Sequence, residues 1–232
     1  RKNVMVVTCQ AELKIDQNSG YEVAYIKTGG NLRGEAAAFV NRKKNMVVLV
    51  DESFAADFPR LSSLKRSIFK TDKSVVFVLN NTTPKDFVIE AKHEITEQKL
   101  ANVVGVIPGK SRKDEYVVFS GHYDHLGVGK PVEGDSIYNG ANDDAAGTTA
   151  VIMLAKYFNA LKSNERTIVF AAFTAEEIGG YGSQYFSRQI ESGKVMALFN
   201  IEMIGTESKW GKNSAYITGY EKTNMGDILA KD

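Results

Sequence analysis

Three apolar stretches in the second half of this chain, residues 116–119, 167–173 and 195–201, each lead within three residues into side chains that bind metals or move protons. The first leads to His122, Asp124 and His125, the second to Glu176 and Glu177, and the third to Glu202. Apolar runs this short, without polar alternation, read as strands buried on both faces. With a further run at 103–107 and a weaker one at 215–218, they alternate with stretches of helical character. In 148–158, Val151, Leu154, Ala155 and Phe158 fall at i, i+3, i+4 and i+7, and 182–190 is a shorter candidate. The alternation predicts an α/β fold, a three-layer sandwich around a mixed, largely parallel sheet. In such sheets ligands gather beyond the carboxyl ends of the strands, where these acids and histidines fall.

The character of the chain changes near residue 95, which divides it into 1–95 and 96–232. The first part has β-like runs at 4–8, 21–26, 46–50 and 74–79 and helical stretches at 34–44 and 58–69, and reads as a small α/β unit with no cluster of chemical side chains. Its one cysteine, Cys9, is the only one in 232 residues, which removes an intrachain disulfide and a cysteine-based zinc cluster. Lys plus Arg is 29 against 28 for Asp plus Glu, so there is no basic field of the kind that binds nucleic acid. No apolar run approaches the roughly 20 residues that span a bilayer.

A fourth group, Asn142, Asp143 and Asp144, lies in a glycine-punctuated loop just ahead of the 148–158 helix. Taken singly, none of these residues compels a functional reading. A lone histidine is more often hydrogen-bonded than a ligand, Asp143-Asp144 suits a turn with Asp144 capping the helix, and Glu176-Glu177 suits a solvated helix start. Glu202 is harder to set aside, because it follows a run expected to be buried. Carboxylates gathered together repel one another and resist desolvation, and a divalent cation removes that difficulty. Histidine with several carboxylates and no thiolate suits zinc, with cobalt or manganese as substitutes, and the number of acids suggests more than one ion. Adjacent Glu176 and Glu177 point in different directions, so one can bind metal while the other faces a water as general base. His93 and His125 are left without a ligand role, although His125 could line the cleft.

The strings SGHYDHLGVG, YNGANDDAAGTTAV, TIVFAAFTAEEIGGYGSQYF and FNIEMIG, in that order, resemble the metal-ligand motifs of the M28 family of zinc aminopeptidases over most of residues 100 to 205. The resemblance implies a zinc exopeptidase-like fold and two zinc ions. It makes His122 and Glu202 ligands of one ion, Glu177 a ligand of the other, and Asp143 the bridge between them. Glu176 becomes the general base, and Asp124 the acid that orients His122. The implied activity is removal of N-terminal residues from peptides with a free amino terminus, in an exported setting, secreted or in the periplasm or cell envelope. Two alternatives stay open. One is a single-zinc acyltransferase resembling glutaminyl cyclases, and the other a non-catalytic interaction domain. The first part of the chain resembles a protease-associated domain. The family takes a last histidine from well downstream, and none follows Glu202 here, so the chain is expected to be part of a longer protein. By itself it should be nearly inactive, holding the second ion weakly through Asp143 and Glu177 alone.

Overall fold

The computed structural model describes residues 3–65, 68–82 and 84–231. The chain divides into two compact units, Arg1–Gln98 and Lys99–Asp232.

In the first unit the strands are β1 (Val4–Val7), β2 (Glu12–Asp16), β3 (Glu22–Ile26), β4 (Met46–Val50), β5 (Val75–Leu79) and β6 (Val88–Lys92), with one helix, α1 (Leu32–Asn41). A four-stranded sheet runs in the order β1-β5-β4-β3, parallel except for β1, and β2 pairs with β6 in a separate antiparallel ribbon. The sequence of β4, Met-Val-Val-Leu-Val, is buried throughout because both faces of the sheet are covered. Val48 and Val50 pack toward α1 and a 3-10 helical stretch, Phe58–Lys65, whereas Val47 and Leu49 pack toward Leu13 and Ile15 of β2. Of the helix expected over 58–69, Arg66 and Ser67 lie outside the described residues. The ribbon is not among the sequence expectations, because its charged residues break the apolar run. Its ELKID and VIEAK segments bury alternate side chains only.

The second unit contains β7 (Val103–Ile107), β8 (Arg112–His122), the hairpin strands β9 (Gly127–Val132) and β10 (Asp135–Tyr138), α2 (Ala146–Leu161), β11 (Arg166–Phe173), α3 (Tyr181–Gln189), β12 (Val195–Asn200) and α4 (Met225–Leu229). The sheet order is β12-β8-β11-β7, with β12, β8 and β11 parallel and β7 antiparallel at the edge. This is the mixed, largely parallel sheet of an α/β fold. Val151, Leu154, Ala155 and Phe158 of α2 pack on Ile168, Phe170 and Phe119 from one side. Phe119 stacks on Phe158, Phe170 and Phe199 at centroid distances of 5.8, 5.9 and 5.2 Å. On the opposite side Phe186 of α3 meets Phe173 at 5.3 Å, which completes the three layers.

The strand expected at 215–218 does not form. Tyr216 and Ile217 are exposed, and no described strand lies beside them to supply backbone partners. The β9–β10 hairpin is exposed along most of its length and carries three glycines and a proline, so it lacks the apolar signal of a strand.

Candidate metal centre

Because β12, β8 and β11 run parallel, their carboxyl ends lie on one edge of the sheet. Phe173 is in register with His122 and Asn200 with Ser120. The β8 end delivers His122, the turn after β11 delivers Glu176 and Glu177, and the loop after β12 delivers Glu202. Asp143 arrives from the segment Ala141–Ala145 that leads into α2. Ala175 and Met203, beside Glu176 and Glu202, both hold left-handed backbone at φ 57° and 52°. Side chains with a Cβ seldom adopt that conformation, and its occurrence beside functional groups is a common form of local strain.

Two trios of ligand-type atoms result. His122, Asp143 and Glu202 form one, and His125, Asp143 and Glu177 the other, each with its atoms within 4.8 Å of one another. Asp143 belongs to both. Glu176 belongs to neither. It lines, with His122 and Glu202, a cavity of about 430 Å³ whose apolar wall includes Phe173, Phe186 and Ile190.

The fit to a cation can be tested on the buried polar atoms. Among the described residues, five buried side-chain nitrogen or oxygen atoms lack a hydrogen-bond partner, and four of them are His122 Nε2, Asp143 Oδ1, His125 Nδ1 and Glu177 Oε1. His122 Nε2 lies 2.9 Å from Asp143 Oδ1, and His125 Nδ1 lies 2.5 Å from Glu177 Oε1. These pairs are close but not aligned as hydrogen bonds. Buried groups left so are rare and costly, and atoms converging on one point without bonding each other are what a cation site requires. The donor set, imidazole and carboxylate without thiolate, fits zinc.

His122 is held by the backbone. Its Nδ1 donates to the Asp124 carbonyl at 3.0 Å, while the Asp124 carboxylate is 3.7 Å away. This leaves Nε2 directed at Asp143. Burial pulls the His122 pKa down, but the Asp124 carbonyl and the carboxylates of Asp144, Glu176 and Asp143 outweigh it and leave the imidazole above its ordinary value. The Asp124 carboxylate instead accepts from the backbone amides of Glu176 at 3.0 Å and Glu177 at 3.3 Å. Asp124 thus orients His122 through its carbonyl and the Glu176-Glu177 turn through its side chain. Asp124→Asn places an amide against one of those N–H groups. Zinc affinity is expected to fall by about 10- to 100-fold through the loosened Glu177 turn, because the Asp124 carbonyl that holds His122 survives the substitution. Calorimetric titration checks this, and an unchanged affinity would return Asp124 to a purely local role.

Partial desolvation pushes the Glu176 carboxyl up, Glu202, Glu177 and Asp124 add to the rise, and His122 opposes it. That direction suits a group that must take and return a proton near neutral pH.

Two positions differ from expectation. Glu202 is exposed, because β12 is the edge strand and ends at Asn200, so solvent reaches the residue beyond it. Asn200 hydrogen-bonds weakly to it at 3.4 Å and is itself held by Ser120 at 2.8 Å. His125 stands among the ligand-type atoms, where the sequence reading left it without a role. Asp144 turns away from both trios. Buried to 2% exposure, its carboxylate accepts from the backbone amides of His122, Gly147 and Met203 at 3.2, 3.1 and 3.1 Å. The expected helix cap is therefore one of three bonds. Gly147 allows this closeness, since a Cβ there would stand 2.1 Å from the Ile201 carbonyl oxygen.

The chain is similar to several known proteins. The chain is 35% identical over 112 residues to a probable zinc metalloprotease of Pyricularia oryzae, covering 47% of this chain and 22% of that protein. It is 27% identical to the aminopeptidase YwaD of Bacillus subtilis over 221 residues, 89% of this chain and 42% of that one. Among solved structures, the aminopeptidase from Aneurinibacillus sp. strain AM-1 matches with a TM-score of 0.38 and 18% identity, over 88% of this chain and 54% of that chain. The chain thus spans less than half the length of these two curated relatives. The model of peptidase family M28 matches residues 102–231, more than half of the chain and the whole stretch from which both trios are drawn. On that match the chain belongs to peptidase family M28.

Proposed function

We propose that this chain carries the catalytic centre of a zinc-dependent exopeptidase that removes N-terminal residues from peptides. The observation that carries the reading is Asp143, shared by two trios whose buried atoms lack other partners. His122, Asp143 and Glu202 would hold one ion, and Asp143 and Glu177 would take part in holding a second. Two trios with a shared carboxylate favour a paired centre over a single-zinc acyltransferase, and the intact set favours an enzyme over an interaction domain.

Zinc, when bound, supplies Lewis acidity to the scissile carbonyl and makes water a nucleophile near neutral pH. Glu176, outside both trios and facing the cavity, takes a proton from the attacking water and returns it to the leaving amine. Asp124 fixes the direction of Glu176 through the turn amide. The apolar wall of the cavity excludes water from one side of the reacting bond. The exported setting belongs to the same proposal.

Elemental analysis of the full-length protein after exhaustive chelation and zinc return is expected to give two ions per molecule. Release of the first residue from unblocked peptides, and none from N-acetylated ones, should follow the metal. Full hydrolysis by the metal-free protein would overturn the reading.

A further inference from the structure

We infer that Asn102 is a positioning residue for Glu176: its side-chain amide closes the neck of the loop 174–182, from which the general base is presented. The inference rests on the zinc-exopeptidase reading above, in which Glu176 moves the proton, and adds to it a residue outside the four motifs. Strand β7 runs antiparallel to β11, with Val103 opposite Ala172, so it is the beginning of β7 that lies at the metal edge. Asn102, one residue earlier, stands beside the end of β11. Its Oδ1 accepts from the Thr174 amide at 3.2 Å, and its Nδ2 donates to the Gly182 carbonyl at 2.9 Å. Across the neck the Gly182 amide donates to the Thr174 carbonyl at 3.0 Å and the Tyr181 amide to the Ala175 carbonyl at 3.1 Å. A Cβ at Gly182 would stand 2.4 Å from Asn102 Oδ1, so the glycine lets the side chain reach both sides of the neck. The segment before β7 is fixed in turn by Tyr123, whose hydroxyl donates to the Ala101 carbonyl at 2.6 Å.

Glu176 and Glu177 share this loop but depend on it unequally. Glu177 belongs to a trio, and an ion there would tether it further, whereas Glu176 belongs to neither trio. For Glu176 the loop backbone sets the direction, held by Asp124 at the tip and by Asn102 at the neck. Misplacing a reacting group by ~1 Å can cost about 100-fold in rate. The neck also calls for an amide in particular. The Thr174 N–H can only donate and the Gly182 carbonyl can only accept. A carboxylate in place of Asn102 satisfies the first and sets an oxygen against the second.

The test compares Asn102→Asp with the unsubstituted full-length protein at saturating zinc. For a short peptide kcat should fall by at least ~10-fold, the scale of a misplaced base, with KM and zinc content unchanged. Amide exchange across residues 174–182 of the chelated protein should quicken. Added to Glu176→Gln, the same substitution should lower the residual kcat by less than ~3-fold, because a residue acting through Glu176 has nothing left to position. Asn102→Ser, smaller and uncharged, carries the test where Asn102→Asp fails to fold. A loss in kcat below ~10-fold, or one confined to KM, overturns the inference. Losses that multiply in the double variant overturn it too, since a general weakening of the structure gives that result. Loss of zinc at saturation would make Asn102 a support of Glu177 instead. In all these cases the exopeptidase reading stands. An unsubstituted protein without hydrolysis overturns that reading, and the inference with it.

Discussion

Glu176→Gln should lower turnover of an aminoacyl-nitroanilide or short peptide by at least ~100-fold, within the range that a positioned acid-base group contributes, and leave the zinc content unchanged. The two halves of this result have separate causes. Glutamine keeps the size of glutamate and leaves untouched the backbone amide that Asp124 accepts from, so the turn and its neighbour Glu177 should stay in place. What it removes is the site that can take a proton. In the metal-free chain that site is a carboxyl raised by partial desolvation and by three neighbouring acids, with His122 pulling the other way. Parallel measurements of zinc content and kcat on the zinc-loaded protein and its variant check the expectation. Loss of zinc would make Glu176 a ligand, and a kcat within tenfold of the original would remove it from proton transfer.

Asp144→Ala should cost about 3 kcal/mol of stability or more, although Asp144 belongs to neither trio. Three backbone N–H groups, from the end of β8, the start of α2 and the loop after β12, end on this one buried carboxylate. Each donor left buried without a partner costs about 1 to 3 kcal/mol. The approach of α2 to the sheet at Gly147 is close, since a Cβ there would stand 2.1 Å from the Ile201 carbonyl oxygen. The helix dipole adds to the loss, because a negative charge is favourable in the first turn. Denaturant unfolding of the chelated protein gives the magnitude. Faster amide exchange at His122, Gly147 and Met203 would locate it. A loss below about 1 kcal/mol with unchanged exchange would show that the three bonds carry little.

The strand ends were legible in the sequence because buried parallel strands are uninterrupted apolar runs, and a charged residue just past such a run has few structural reasons to be there. Helix α2 was legible for a related reason: Val151, Leu154, Ala155 and Phe158 form one stripe, and that stripe meets Phe119 and Phe170. His125 was hidden because its placement depends on chain reversal after β8 and on space left by Gly140, fifteen positions away and unrelated to it by any helical or strand period. The Asp124 carboxylate was hidden for the same kind of reason. The family resemblance assigned it to the imidazole two residues earlier, whereas folding brings the Glu176 and Glu177 amides within its reach from 52 and 53 positions away. Glu202 was misjudged as buried because a sequence does not say which strand stands at the edge of a sheet.

The parallel register of β12, β8 and β11 has a consequence for how such a chain acquires its metal. Residues 122 and 202 are far apart in the unfolded chain and become neighbours only when β12 has paired with β8, so neither strand alone brings His122 and Glu202 together. Uptake of zinc and formation of the sheet edge are then a single equilibrium, in which metal availability acts on the population of folded molecules. Bound zinc would then add to the stability of the sheet edge by an amount that grows with the free zinc concentration relative to the affinity of the site.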